Sequence, residues 1–263
     1  MHRHDRGLAY DLATLRSRRR ALTLFGGAGL AVLAGCTSGE PADPATAAPA
    51  PTAGGGPVEE IPAETGGPFP GDGSNGPNVL TESGVVRADI RSSIGSASGV
   101  ADGVPLRLDL TVLEADTGDA LAGAAVYVWQ CDREGRYSMY SPGATGENYL
   151  RGVQAADDSG RLAFTSIFPA AYSGRWPHIH FEVYRSLGDA TAGGTKIITS
   201  QLALPEEVCR AVYGGPGYDI SARNFARTDL SSDTVFRDGH ARQLAQVTGD
   251  VGSGLTATLA IPV

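Results

Sequence analysis

His178 and His180 stand two residues apart in the run Trp176-Pro177-His178-Ile179-His180-Phe181-Glu182-Val183-Tyr184. On a strand, successive side chains point to opposite faces. Ile179, Phe181 and Val183 then form an apolar face, and the two imidazoles project together from the other. Two imidazoles side by side on a rigid strand are a platform for a metal ion. The pair alone does not choose the metal, because His-x-His pairs also serve zinc and copper.

Completing such a site takes donors from elsewhere. Beyond the pair, the part of the chain that reads as folded offers His240, in a stretch that reads as a loop, and two cysteines, Cys131 and Cys209. A zinc site of the Cys/His kind is poorly supplied by that set. Tyrosines are at hand. Tyr172 precedes His178, and Tyr137 follows the turn Asp132-Arg133-Glu134-Gly135-Arg136. A phenol ionises near pH 10, so binding as tyrosinate at neutral pH takes about 4 kcal/mol from the metal. A hard trivalent cation such as iron(III) supplies that, so tyrosine ligands point to iron(III). Taken singly, each tyrosine also reads as a packing residue with its hydroxyl at the surface.

The elements that must carry these residues read as strands. Leu106, Leu108, Leu110 and Val112 alternate with Arg107, Asp109 and Thr111, the period of a half-buried strand. Further strands are expected over Ala125 to Gln130, Arg161 to Ile167, His178 to Tyr184 and Lys196 to Leu202. A closing pair is expected at Gln243 to Val247 and Leu255 to Ile261. Turn residues are frequent, with 36 glycines and 16 prolines in 263 residues, and long helical patterns are few. The expectation is an all-β domain, a β-sandwich of mostly antiparallel strands with long irregular loops. Tyr213 to His240 reads as one such surface loop. No internal repeat is visible.

The first quarter of the chain reads differently. Ser17-Arg18-Arg19-Arg20 precedes the apolar run Ala21 to Ala34, which is short for a membrane span. A basic segment before a short apolar run is an export signal, and paired arginines suggest the twin-arginine route. The run ends in Leu33-Ala34-Gly35-Cys36, which resembles a bacterial lipobox with Cys36 as the lipidated residue. An ordinary signal with a chance cysteine is the other reading. Residues 37–66 are Pro, Ala, Gly, Thr and Glu with few large apolar side chains, the composition of a tether. The expected organisation is a signal over 1–36, a tether over 37–66 and a folded domain over 67–263. That places the domain outside the cell, or lipid-anchored at the outer face of the bacterial membrane, with the N-terminal lipid as its one membrane contact. Outside the cytoplasm Cys131 and Cys209 can pair, or each can be a buried thiol. Six arginines against two aspartates lie in residues 1–36, so a formal charge of −8 overall leaves the rest near −12. An acidic domain argues against nucleic acid as partner.

The ordered motifs then carry a resemblance. Val128-Trp129-Gln130-Cys131-Asp132 through Gly135-Arg136-Tyr137-Ser138, then Phe168-Pro169-Ala170-Ala171-Tyr172, then Pro177-His178-Ile179-His180-Phe181, is similar to the intradiol ring-cleavage dioxygenases. The resemblance runs over about Gly67 to Val263. It implies iron(III) held by Tyr137, Tyr172, His178 and His180, with Tyr172 the tyrosine that leaves when substrate arrives. It implies that Arg175 supports the reacting substrate, as a fixed cation near developing negative charge, and that Gln201 supports the site. The implied substrates are a small aromatic diol and dioxygen, and the implied products are of the cis,cis-muconate type.

Three departures bear on the pocket. Only Ser173-Gly174-Arg175-Trp176-Pro177 separates Tyr172 from His178, so little of the pocket comes from that loop. Gly67-Pro68-Phe69-Pro70 resembles a family motif that often ends in tyrosines, here without their hydroxyls. Tyr140 and Tyr149 compete with Tyr137 as ligand, and motif position favours Tyr137. Two other readings stand beside the dioxygenase: a copper or zinc protein that uses the histidines alone, and a lipid-anchored binding module without catalysis.

Overall fold

The structure is a computed structural model and describes residues 56–263. The signal over 1–36 with Cys36, and the tether as far as residue 55, lie outside the described residues. Eight strands form two four-stranded sheets, and the expected all-β sandwich is what folds. One sheet holds β1 (Pro105–Leu113), β4 (Arg161–Ile167), β7 (Gln246–Asp250) and β8 (Gly254–Pro262), in the order β4-β1-β8-β7. The other holds β2 (Ala125–Trp129), β3 (Arg151–Ala155), β5 (His178–Tyr184) and β6 (Lys196–Ala203), in the order β3-β2-β5-β6. All pairs are antiparallel except β1 with β8.

Period-two alternation builds the core. Leu106, Leu108, Leu110 and Val112 of β1 are buried against Val126, Val128, Ile179, Phe181 and Val183 of the facing sheet. The residues between them on β1 are exposed or half-buried. The sheet of β2 and β5 is instead covered on both faces. On its outer side Tyr127, Trp129, Tyr137 and Tyr184 form a second apolar cluster with Val79, Leu80, Val85 and Val153. All seven residues of β5 are therefore buried, and both faces of that strand can hold chemistry away from solvent.

The strand expected over Gln243 to Val247 instead spans Gln246–Asp250, and three stretches differ more. The strand β3 had no clear pattern, because Arg151, Gly152 and Gln154 are poor strand formers. Gly152 is demanded there by a close pass: a Cβ would lie 2.5 Å from Ile90 Cγ2. Residues 57–66, read as tether, lie along the sandwich. The amides of Val58, Ile61 and Glu64 donate to the carbonyls of Ala115, Pro262 and Thr199, and Ile61 is buried. One well-placed isoleucine and three backbone bonds hold a segment whose composition is otherwise that of a linker.

Tyr213 to His240 is not the surface loop that was expected. Three short helices follow β5: α1 (Leu187–Thr191), α2 (Glu206–Tyr213) and α3 (Asp219–Phe225). A 3-10 turn spans Phe236–Asp238. Val212, Tyr213, Tyr218, Phe225, Val235 and Phe236 are buried in the core. Val208, Cys209, Val212 and Tyr213 of α2 follow helical spacing onto the core, whereas α3 and the 3-10 turn are too short to show a period. Cys131 and Cys209 are both buried and free, so no disulfide joins them.

Candidate metal centre

The ladder places one row of side chains across the second sheet. Trp129 of β2 is paired with Arg151 on one side and His180 on the other, and His180 is paired with Gln201 of β6. The Trp129 indole stacks on the His180 imidazole, with centroids 4.9 Å apart and planes 5° from parallel. That stack fixes the ring. His178, one step along β5 on the same face, is fixed differently. Its Nδ1 faces the Trp176 carbonyl. A carbonyl only accepts, so Nδ1 carries the proton and Nε2 presents its lone pair to the site.

Four donor atoms converge there. His178 Nε2 and His180 Nε2 are 3.1 Å apart, and Tyr172 Oη lies 3.1 Å from His178 Nε2. Tyr137 Oη lies 3.5 Å from Tyr172 Oη. Donors about 2.0–2.1 Å from one cation, at right or tetrahedral angles, stand about 2.8–3.4 Å from one another. Spacings of 3.1, 3.1 and 3.5 Å lie within or just beyond that range, so this set could close on one ion. No group of three His, Cys, Asp or Glu among the described residues could do so. The phenols complete the set.

Tyr137, His178 and His180 are buried, while Tyr172 and Arg175 are half-buried and mark the open side. Burial holds both imidazoles well below the ordinary histidine range, and the Arg175 charge adds to it, so both are neutral and able to bind a cation. Burial also raises both phenols. Tyr172 is pushed up to about 12, with Arg175 opposing, and Tyr137 well above its ordinary 10. A cation that binds here therefore displaces two phenol protons held more firmly than in water.

The rival tyrosines are occupied elsewhere. Tyr140 Oη accepts from Gly71 N and donates to Asn75 Oδ1. Tyr149 Oη donates to Asp132 Oδ2. Arg175 comes to the edge of the cluster, with Nη1 3.5 Å from His178 Nε2 and Nη2 donating to Gln201 Oε1 at 2.6 Å. Gln201 in turn donates to the Thr65 carbonyl at 2.8 Å. His240 stands apart, facing the Phe236 carbonyl. Gly67 closes the side of His180: its φ is +66°, and a Cβ there would lie 3.3 Å from His180 Cε1.

A family model described as Dioxygenase matches residues 82–189, the stretch that holds Tyr137, Tyr172, Arg175, His178 and His180. An intradiol ring-cleavage dioxygenase from Tetranychus urticae is similar in structure. Its TM-score is 0.55 at 22% identity, over 69% of this chain and 87% of that one. Residues 82–189 thus carry a likeness to a dioxygenase family, and the chain shares its fold with the solved intradiol enzyme. Two other solved structures are alike at lower scores. The dioxygenase domain of a dioxygenase carbohydrate-binding protein fusion from Streptomyces sp. SirexAA-E has TM-score 0.49 and 21% identity, over 78% and 98% of the two chains. Hydroxyquinol 1,2-dioxygenase from Pseudomonas putida DLL-E4 has TM-score 0.47 and 18% identity, over 78% and 66%.

Beside this cluster the sequence missed Asp233. It is buried, and its Oδ2 accepts from Arg175 Nε at 2.9 Å and Trp176 N at 2.7 Å. The available signal was an Asp just before Val235-Phe236, whose amides its Oδ1 caps. It sat inside a stretch read as a surface loop.

Proposed function

We propose that this chain is an iron(III)-dependent dioxygenase that cleaves catechol-type rings in the intradiol manner with dioxygen, giving products of the cis,cis-muconate type. The observation that carries the proposal is the convergence of Tyr137, Tyr172, His178 and His180 within 3.1–3.5 Å of their neighbours. Two phenols beside two neutral imidazoles suit a hard trivalent ion better than copper or zinc. Iron(III), when bound, would hold both oxygens of a catechol and make its ring electron-rich.

The residues of the chain do the rest. Tyr172 is the half-buried donor of the four, so it can swing outward without opening the core. Its Oη, as phenolate, would accept a proton from the incoming diol. Tyr137 and the histidines stay fixed, since Trp129 stacks on His180 and the Trp176 carbonyl holds His178. Arg175 is pinned with its charge toward the cluster, where it stabilises negative charge that develops on the substrate. Gln201 holds one end of Arg175 through the 2.6 Å bond.

The test is the visible spectrum of the iron-loaded chain, before and after adding catechol without oxygen. A broad tyrosinate-to-iron band that shifts on adding catechol, followed by ring cleavage once oxygen is admitted, is the expected result. A chain that takes up iron and stays colourless would sink the reading, and copper or zinc bound by the histidines alone would then be the better account.

A further inference from the structure

Arg175 is held from two sides, and the two holds differ. Gln201 contributes a neutral oxygen to Nη2. Asp233 contributes a buried carboxylate to Nε. Four donors meet that carboxylate. Oδ1 accepts from Val235 N at 2.8 Å and Phe236 N at 3.2 Å, and Oδ2 accepts from Trp176 N at 2.7 Å and from Arg175 Nε at 2.9 Å. Three of the four are backbone amides, so the carboxylate itself is immobile. A guanidinium is planar, and fixing Nε and Nη2 fixes the plane. The remaining nitrogen, Nη1, is then aimed at His178 Nε2. The Phe236 ring lies beside the same guanidinium, 6.0 Å from Cζ to centroid.

We propose that Asp233 is a positioning residue that orients the Arg175 guanidinium toward the four-donor cluster. The inference rests on the reading of Arg175 as the cation that faces the substrate. Asp233 lies outside the stretch matched to the dioxygenase family, in the segment that carries the 3-10 turn. This chain therefore aims its substrate-facing cation from an element the matched stretch does not contain. Removing the charge leaves Arg175 free to turn about its Cδ–Nε bond, because the Gln201 contact alone does not set the plane. In Asp233→Asn the amide nitrogen meets Arg175 Nε or a backbone N–H, and donor faces donor.

Two measurements on the full chain test this. The first is turnover of catechol by iron-loaded Asp233→Asn, Arg175→Gln and the double variant. Asp233→Asn is expected to lose about 10²-fold in kcat/KM, the scale of a misplaced reacting group, with the tyrosinate-to-iron band unmoved. In the Arg175→Gln background the same change is expected to cost nothing further. The second is labelling of Arg175 by an arginine-selective dicarbonyl, read by mass spectrometry, which needs neither metal nor activity. Labelling is expected to speed up several-fold in Asp233→Asn. Asp233→Glu keeps the charge, is expected to fall between in both readouts, and serves if the asparagine variant does not fold. Losses that multiply in the double variant, or labelling that does not change, would overturn the proposal. A wild-type chain with neither band nor turnover would overturn the proposed function instead, and the labelling comparison would still decide whether Asp233 holds Arg175.

Discussion

Tyr137, Tyr140 and Tyr149 differ in what their hydroxyls meet. Tyr137 Oη faces Tyr172 inside the cluster, whereas the other two are spent on Gly71, Asn75 and Asp132. Tyr140→Phe and Tyr149→Phe are therefore expected to keep iron and its visible band, at a cost of about 1 kcal/mol of stability per lost hydrogen bond. Tyr137→Phe is expected to weaken and move the band and to lower iron affinity by more than the roughly 10–100-fold seen for outer partners of a ligand. Metal content and absorption of the three variants check this, and an unchanged band in Tyr137→Phe would exclude it from the site. The histidines and tyrosines were legible in the sequence because strand periodicity puts His178 and His180 on one face and motif order supplies the phenols. Asp233 was missed because its partner Arg175 lies 58 residues away and its other contacts are three backbone amides, which residue types do not specify.

The pairing of β5 with β6 carries a charge cluster around the buried Glu182, on the same outer face as the histidines. Glu182 accepts from Lys196 Nζ and from Tyr184 Oη, and Lys196 also donates to Asp72 at 2.9 Å. Burial raises the Glu182 carboxyl above its ordinary 4.5, against the pull of Lys196. Burial works against the Lys196 ammonium, but the Glu182 and Asp72 carboxylates outweigh it, and its pKa lies above the ordinary 10.5. A folded pKa above the unfolded one means a contribution complete below pH 10.5 and lost as pH rises through the folded value. Lys196→Met is thus expected to cost about 2–3 kcal/mol near neutral pH, less than for a fully buried pair because the ammonium is partly exposed. The gap to wild type should close in strongly alkaline solution. Urea denaturation at neutral and at alkaline pH reads it, and equal gaps at both would refute the coupling. The exact limits of β4 and β5 followed from alternation and from apolar residues. Those of β3 did not, because Gly152 is set by the passing Ile90 chain, a contact distant in sequence.

At the scale of the whole molecule, the segment over 57–66 belongs to the domain. It buries Ile61, and its Thr65 carbonyl holds Gln201, which holds Arg175. A chain begun at Gly67 loses about 2–3 kcal/mol of burial from Ile61 and about 1 kcal/mol for each of three backbone bonds, against one begun at Gly56. Calorimetry is expected to show a melting point lower by about 10 °C or more. Equal melting points would return the segment to the role of a tether. Two-sheet architecture was legible because alternation is a local signal. This strap was not, because its anchors are few and its partners, Ala115, Thr199 and Pro262, lie far along the chain.

The parallel pairing of β1 with β8 governs the order in which a growing chain can fold. β1 sits between β4 and β8, and β7 joins the sheet only through β8. Until residues 254–262 have been made, the first sheet is a two-stranded ribbon, too narrow to cover the four strands that face it. Ile61 has no Pro262 carbonyl to donate to before then. The strap that reaches Gln201 is therefore among the last parts to settle, although it is among the first to be synthesised. Ribosome-bound intermediates should expose the apolar faces of β2 and β5, and the four-donor cluster should be completed only after the ribosome has made β8.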